Sequence, residues 1–154
     1  MATSTLIQRL EAGTGTDAMN RNQTEWFVAA ETISAGKLVS LDLRAATADG
    51  DKCIAVVPAD LSSADTLGVV GVAVGSAAKG EKVEVVLKGI VFVAADAGIA
   101  AGDALSVSAT GAGATAGFVS KRNAGDLYTC VGVALEATGA TVADQVKALI
   151  YKVW

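Results

Sequence analysis

Residues 66–93, TLGVVGVAVGSAAKGEKVEVVLKGIVFV, constrain the fold more than any other part of the chain. Val83, Val85 and Leu87 alternate with Glu84 and Lys88, the period of two expected of a strand with one buried face. Leu67, Val69, Val70, Val72 and Val74 make an apolar strand before it. Between the two, Ser76-Ala77-Ala78-Lys79-Gly80 supplies the small residues and the glycine of a hairpin turn. The second strand runs into Gly89 and a third apolar run. Nothing in this stretch is a reactive constellation.

The rest of the chain repeats that grammar. Trp26-Phe27-Val28-Ala29-Ala30 begins the folded part, and Ile33 to Asp42 reads as a turn followed by a strand. Asp49-Gly50 marks a hairpin, Cys53 to Val57 returns as a strand, and Pro58 ends it. Residues 61–66 form a polar connection. Residues 98–108 are a further turn and strand, and 109–117 (ATGAGATAG) a low-complexity loop. Phe118-Val119-Ser120 leads into a polar turn over 121–126, residues 127–135 are a strand, and 136–143 a loop. Over 145–154 the pattern fits helix or strand, and the Ile, Tyr, Val and Trp content decides for a strand. With 17 Gly, 1 Pro and only 5% aromatics, the 154 residues predict one all-β domain cored by Ala, Val, Leu and Ile.

Two local matches recur in the same order. Ile33-Ser34-Ala35-Gly36-Lys37 matches Ile99-Ala100-Ala101-Gly102-Asp103, and Val70-Gly71-Val72-Ala73-Val74 matches Val131-Gly132-Val133-Ala134-Leu135. Two such halves predict a compact β-barrel or sandwich with an internal two-fold repeat, each half covering the other's apolar face. The glycine inside each V-G-V-A fits a bulge or a close backbone approach.

Composition excludes much chemistry. The chain has no histidine, which removes Ser-His-Asp and Cys-His catalysis and every His-containing metal site. A net charge of −4 with no Lys/Arg block disfavours nucleic acid and a polybasic membrane contact. The longest apolar run, Leu67 to Gly75, is nine residues, well short of the roughly 18 a membrane helix needs. The N-terminus lacks a signal-peptide pattern, so synthesis in a cytosol is expected. Asp42, Asp49, Asp51 and Asp103 follow turns without calcium-loop spacing and read as solvated turn carboxylates. Cys53 and Cys130 sit beside apolar strand residues and read as small buried hydrophobes, with pairing left open. Neither Gly68-Val69-Val70-Gly71 nor Gly111-Ala112-Gly113 has a phosphate-loop context. Lys79 in Ala-Ala-Lys-Gly lacks the flanks of a biotinyl or lipoyl lysine. No cofactor, metal or enzymatic activity is expected. A mean hydropathy of +0.48 instead points to a surface facing another protein.

The order I-x-A-G-x-x-V (Ile33 to Val39), L-G-V-V-G-V-A (Leu67 to Ala73), the hairpin from Ala78 to Phe92, Ala101-Gly102-Asp103 and the closing V-G-V-A-L (Val131 to Leu135) resembles a known group. It is similar to the small capsid decoration, or cement, proteins of tailed bacteriophages, over about Trp26 to Trp154. The resemblance implies a β-barrel or β-tulip-like body over 25–154 and an extended N-terminal arm over 1–24. It implies a structural virion protein on the outer surface of an icosahedral head, trimeric at three-fold and quasi-three-fold axes, made in the host bacterial cytoplasm. The major capsid protein and two further copies are the implied partners. On that reading Leu6, Ile7, Leu10, Trp26 and Phe27 contact the capsid, and Gly89, Ile90, Val91, Phe92 and Val93 form the trimer contact. A β-rich surface module recognising carbohydrate is the rival reading, and the low aromatic content weighs against it.

Overall fold

The computed structural model describes residues 22–44, 54–60, 68–108, 116–122, 130–138 and 145–151. Leu6, Ile7 and Leu10 lie outside these residues, as do Cys53, Leu67, Asp49, Asp51 and the Asp49-Gly50 turn. So do the connection at 61–66, most of the loop at 109–117, and residues 123–129, 139–144 and 152–154. The described chain is all-β, without a helix: β1 (Gln23–Ala29), β2 (Leu38–Leu41), β3 (Ala55–Pro58), β4 (Val69–Ala73), β5 (Lys82–Ala94), β6 (Ala104–Val107), β7 (Val119–Lys121), β8 (Gly132–Ala134) and β9 (Gln145–Ile150).

The strand order is β1-β3-β2-β4-β5, with β5 also pairing back to β1, so these five strands close into a barrel. The far half of β5 continues the sheet through β9, β8, β6 and β7. A parallel bridge between Ala95 and Val119 then returns β7 to the end of β5 and closes a second five-stranded ring.

The two rings are built alike, residue for residue. Phe27 opposite Val83 in the first corresponds to Val93 opposite Val146 in the second. Ser40 opposite Val57 corresponds to Ser106 opposite Ser120, and Ala73 opposite Val85 to Ala134 opposite Ala148. The turns agree as well: Gly36 N–H donates to Ala73 O at 2.8 Å, and Gly102 N–H to Ala134 O at 2.8 Å. The parallel seams agree too, Ala30 N–H bonding Val56 O and Asp96 N–H bonding Val119 O, each at 2.9 Å.

Each half of the sequence closes on itself, and the two-fold repeat read as a compact barrel or sandwich is an all-β body of two like rings. The reason is the length of β5. The alternating strand and the apolar run after Gly89 are one 13-residue strand, whose first half pairs with β1 and β4 and whose second half pairs with β9. At about 3.3 Å per residue it spans roughly 40 Å, enough to serve two barrels in line.

Its inward face keeps one alternation along the way. Val83 and Val85 point into the first core and Val91 and Val93, an even number of residues further on, into the second, while Val86 on the opposite face joins the second cluster from outside the first barrel. The pairing with β1 shifts by one residue just before Lys88, and Gly89 with φ +135° follows it. The Asn22 side chain stands against the same spot, accepting from Ile90 N–H and donating to Ile90 O, both at 2.8 Å.

The first core holds Phe27, Ala29, Ile33, Val39, Val56, Val70, Ala73, Ala77, Val83 and Val85. Ten positions of the second barrel correspond to these, nine of them buried in the second core, with Leu105 in the place of Val39 and Thr138 in the place of Ala77. Ala77 bonds Ile33 through its backbone, and Thr138 bonds Ile99 through backbone and hydroxyl.

Several readings need correction. Val119-Ser120-Lys121 form β7, so the turn read from Lys121 begins only after that residue. Of the strand read over 127–135, residues 127–129 lie outside the described residues, and the described part holds β8 at Gly132–Ala134, with Leu135 already exposed beyond its end. Val74, read as the last strand residue, is likewise exposed beyond β4. Asp42 is buried, not solvated, and its carboxylate takes a two-point bond from Arg44 at 2.7 and 2.9 Å. Cys130 is a half-buried free thiol, donating to Gly132 O at 3.3 Å and lying 3.5 Å from the Tyr151 hydroxyl.

Candidate interaction surfaces

With both cores closed, whatever this chain does by contact it does with outward side chains. Pleating sets which those are. On β1, Trp26 points out and is 65% exposed, while its neighbour Phe27 is buried in the first core. Trp26 lies opposite Glu84. Its counterpart in the second barrel is Phe92, 46% exposed and opposite Lys147. Val74 and Leu135 form a second matched pair of exposed apolar residues. Of Gly89, Ile90, Val91, Phe92 and Val93, only Ile90 and Phe92 present side chains outward, while Val91 and Val93 fill the second core.

One outward row crosses each barrel. In the first it reads Thr24–Val86–Val72–Leu38 across β1, β5, β4 and β2. In the second it reads Ile90–Leu149–Val133–Ala104 across β5, β9, β8 and β6. Beyond the exposed Thr24 the first row is sealed: Leu38, Val72 and Val86, with Ala59, belong to the same contiguous cluster as the second core. The second row is open at the surface, with Leu149 exposed and Ile90, Val133 and Ala104 half-buried. Trp26 and Phe27 are brought together only in sequence, and Leu149, Val133 and Ala104 were not singled out from it. The V-G-V-A match was the signal that could have found Val133, as the counterpart of Val72.

The seam between the barrels is polar at its edge. Leu38 N–H donates to Gly117 O and Gly117 N–H to Ala59 O, both at 2.7 Å. Lys37 reaches across, its Nζ donating to Ala116 O at 2.6 Å and lying 3.8 Å from the centre of the Phe118 ring. Burial against that seam lowers the Lys37 amine below its ordinary pKa, because desolvation disfavours the charged form. Replacing Lys37 by Met keeps the aliphatic stem and removes the cation. Urea titration should register a loss of about 1 kcal/mol, the sum expected of one part-exposed cation–π contact and one hydrogen bond after water competition. An unchanged midpoint would mean the ammonium contributes nothing to joining the barrels.

The counterpart of Lys37 is Asp103. It accepts from Ala100 N–H at 2.8 Å and pairs with Lys121 at 3.0 Å, and these contacts hold its carboxyl below the usual carboxylate range, the Ala100 bond foremost. The edge of the open row therefore carries opposite charges where the sealed row has Lys37 and Ala59. Among the described residues no group of His, Cys, Asp or Glu could hold a metal, and no helix could cross a membrane. Lys79 sits exposed on the turn before β5.

None of the curated proteins matches the chain. Among solved structures it is similar to the N base of the head fiber protein gp8.5 of bacteriophage phi29, with a TM-score of 0.56 and 21% identity, over 84% of this chain and 93% of that one. The likeness is one of fold, an all-β body of the same general course. The phage cement protein family matches residues 27–150, from the middle of β1 to the last residue of β9. Over four-fifths of its length, then, the chain belongs to the phage cement protein family, the structural proteins associated with the virion capsid.

Proposed function

We propose that this protein binds the outer surface of an icosahedral phage head and cements the shell, as trimers at three-fold and quasi-three-fold positions. The family match over residues 27–150 is the observation that carries the reading. The chemistry agrees with it. A cement must supply contact area and no reaction, and the outward residues are apolar or scattered charges. The major capsid protein is its partner, and synthesis takes place in the host bacterial cytoplasm. It is not an enzyme on this reading.

The arm, read from the sequence as residues 1–24 but with Gln23 and Thr24 paired into β1, carries Leu6, Ile7 and Leu10 along the capsid, and Trp26 docks beside it. An extended segment can add main-chain hydrogen bonds to an exposed sheet edge and gain affinity without a preformed pocket. Trp26 is the member of the Trp26-Phe27 pair with its ring free for such a contact. Of the assigned trimer contact, Ile90 and Phe92 are the side chains free to meet another copy.

Co-sedimentation with undecorated, expanded heads tests the reading. The intact chain should saturate at a fixed stoichiometry near three copies per three-fold site. A chain lacking residues 1–21, which leaves β1 whole, should fold and lose head binding by at least tenfold. Full occupancy by the truncated chain would refute the role of the arm, and absence of binding by the intact, folded chain would refute the cement reading itself.

A further inference from the structure

The sealed row of the first barrel and the open row of the second are the same surface, built twice. Val86, Val72 and Leu38 are 2%, 0% and 0% exposed because the second barrel of the same chain sits on them. Leu149, Val133 and Ala104 stand at the corresponding places, with the same neighbours across the same strands. The backbone agrees too. A Cβ on Gly71 would strike Val86 O, and one on Gly132 would strike Leu149 O, so each row bends at the same point. Among the described residues nothing covers the second row. A row of Ile, Leu, Val and Ala side chains left partly in water at the middle of a sheet is what an interface centre looks like before its partner arrives.

The chain itself shows which kind of surface fits such a row. In the sealed copy the covering piece is the neighbouring barrel, entering with Gly117 between Leu38 and Ala59. Gly117 corresponds to Ile54 of the first barrel, which lies just before β3 and is 46% exposed. Among the described residues the first barrel thus has an exposed covering side at Ile54, and the second an exposed covered side at Leu149. We propose that the row Ile90–Leu149–Val133–Ala104 of one copy receives the Ile54 side of the first barrel of another copy, repeating between chains the contact already made within one.

Such a contact joins unlike surfaces, so copies add head to tail, and a trimer is a ring closed by three of them. It uses the same faces as the internal seam and differs from it at the point of entry and at the edge. Ile54 cannot approach a backbone as closely as Gly117 does, and Asp103 and Arg122 replace Lys37 and Ala59 at the edge. Side-chain packing therefore takes the place of the main-chain bonds, with a charged rim around an apolar centre. The inference rests on the reading of the protein as one that self-associates, and it names the faces involved.

A photo-cross-linker decides it. Leu149→p-benzoylphenylalanine, at an exposed outward position, is irradiated in the full chain both free at high concentration and bound to expanded heads, and the adducts are located by peptide mass spectrometry. The expected product is an inter-chain adduct between residue 149 and the first barrel of another copy, near Ile54 or Val28. It should be lost when Ile54 is replaced by Asp, with circular dichroism unchanged. Adducts to the second barrel of another copy, adducts to the capsid protein alone, or no inter-chain adduct in either state would each overturn it. Head binding without the adduct would sink this contact and leave the cement reading standing, whereas the adduct without head binding would do the reverse.

Discussion

Replacing Gly71 by alanine is expected to destabilise the protein by about 3 kcal/mol, at the upper end of the usual cost of overpacking. The added methyl would overlap the Val86 carbonyl and crowd Val85 Cγ1. Val86 cannot retreat, since β5 is held there by β4 on one side and β1 on the other. The strain must go into the β4 backbone and break pairing at Val72. Gly75→Ala is the control, because nothing lies within 4 Å of a Cβ there and its backbone needs no left-handed turn. Chemical denaturation should separate the two by several-fold in ΔΔG, with Gly75→Ala within about 0.5 kcal/mol of the parent. Equal midpoints for the two variants would mean that the close approach at Gly71 is not a constraint. Gly132→Ala, which meets Leu149 O in the second barrel, should follow Gly71→Ala.

Truncating Leu105 to alanine should cost roughly 2–5 kcal/mol, the range for a buried leucine that leaves a cavity. Leu105 is fully buried in the second core, paired in β6 between β7 and β8. With about 2–4 °C lost per kcal/mol for a chain of this size, the melting temperature should fall by of the order of 10 °C. Its counterpart Val39 is as deeply buried but has one methylene fewer to lose, so Val39→Ala should be the milder change. Calorimetry of both variants checks the order. A larger loss from Val39 would show that the first barrel, sealed on its outer row, collapses less readily around a void than the second.

Much of this fold was legible because pleated strands write themselves as alternation. Val83, Val85 and Leu87 against Glu84 and Lys88 gave the first half of β5 its inward face, and the I-x-A-G and V-G-V-A matches mark equivalent turns and bulges in the two barrels. What stayed hidden was closure. Whether two halves share a barrel or each makes its own depends on which edges meet, and the seams at Ala29–Val56 and Ala95–Val119 join residues far apart in sequence and unremarkable in type. β7 was missed because Ser120 and Lys121 are ordinary turn residues, and only their place opposite Ser106 and Leu105 makes them a strand.

The surfaces were less legible than the cores. Trp26 and Phe27 look alike to any hydrophobicity count, yet pleating turns one out and the other in. Leu149 gave no signal by itself, since Val146, Ala148 and Ile150 beside it are all buried and its own neighbours were ambiguous between helix and strand. Its meaning comes from Val86, which occupies the same place in the first barrel and is covered.

Because the break between the barrels falls within β5, the order of synthesis is also an order of assembly. Every strand pairing of the first barrel lies before Gly89, so that barrel can close while the second half is still in the ribosome. The nascent chain then offers Leu38, Val72 and Val86 as a bare template, on which the emerging second barrel is shaped. Until it arrives, that row is an apolar surface left open on a closed barrel, and neighbouring chains on the same message are able to meet it.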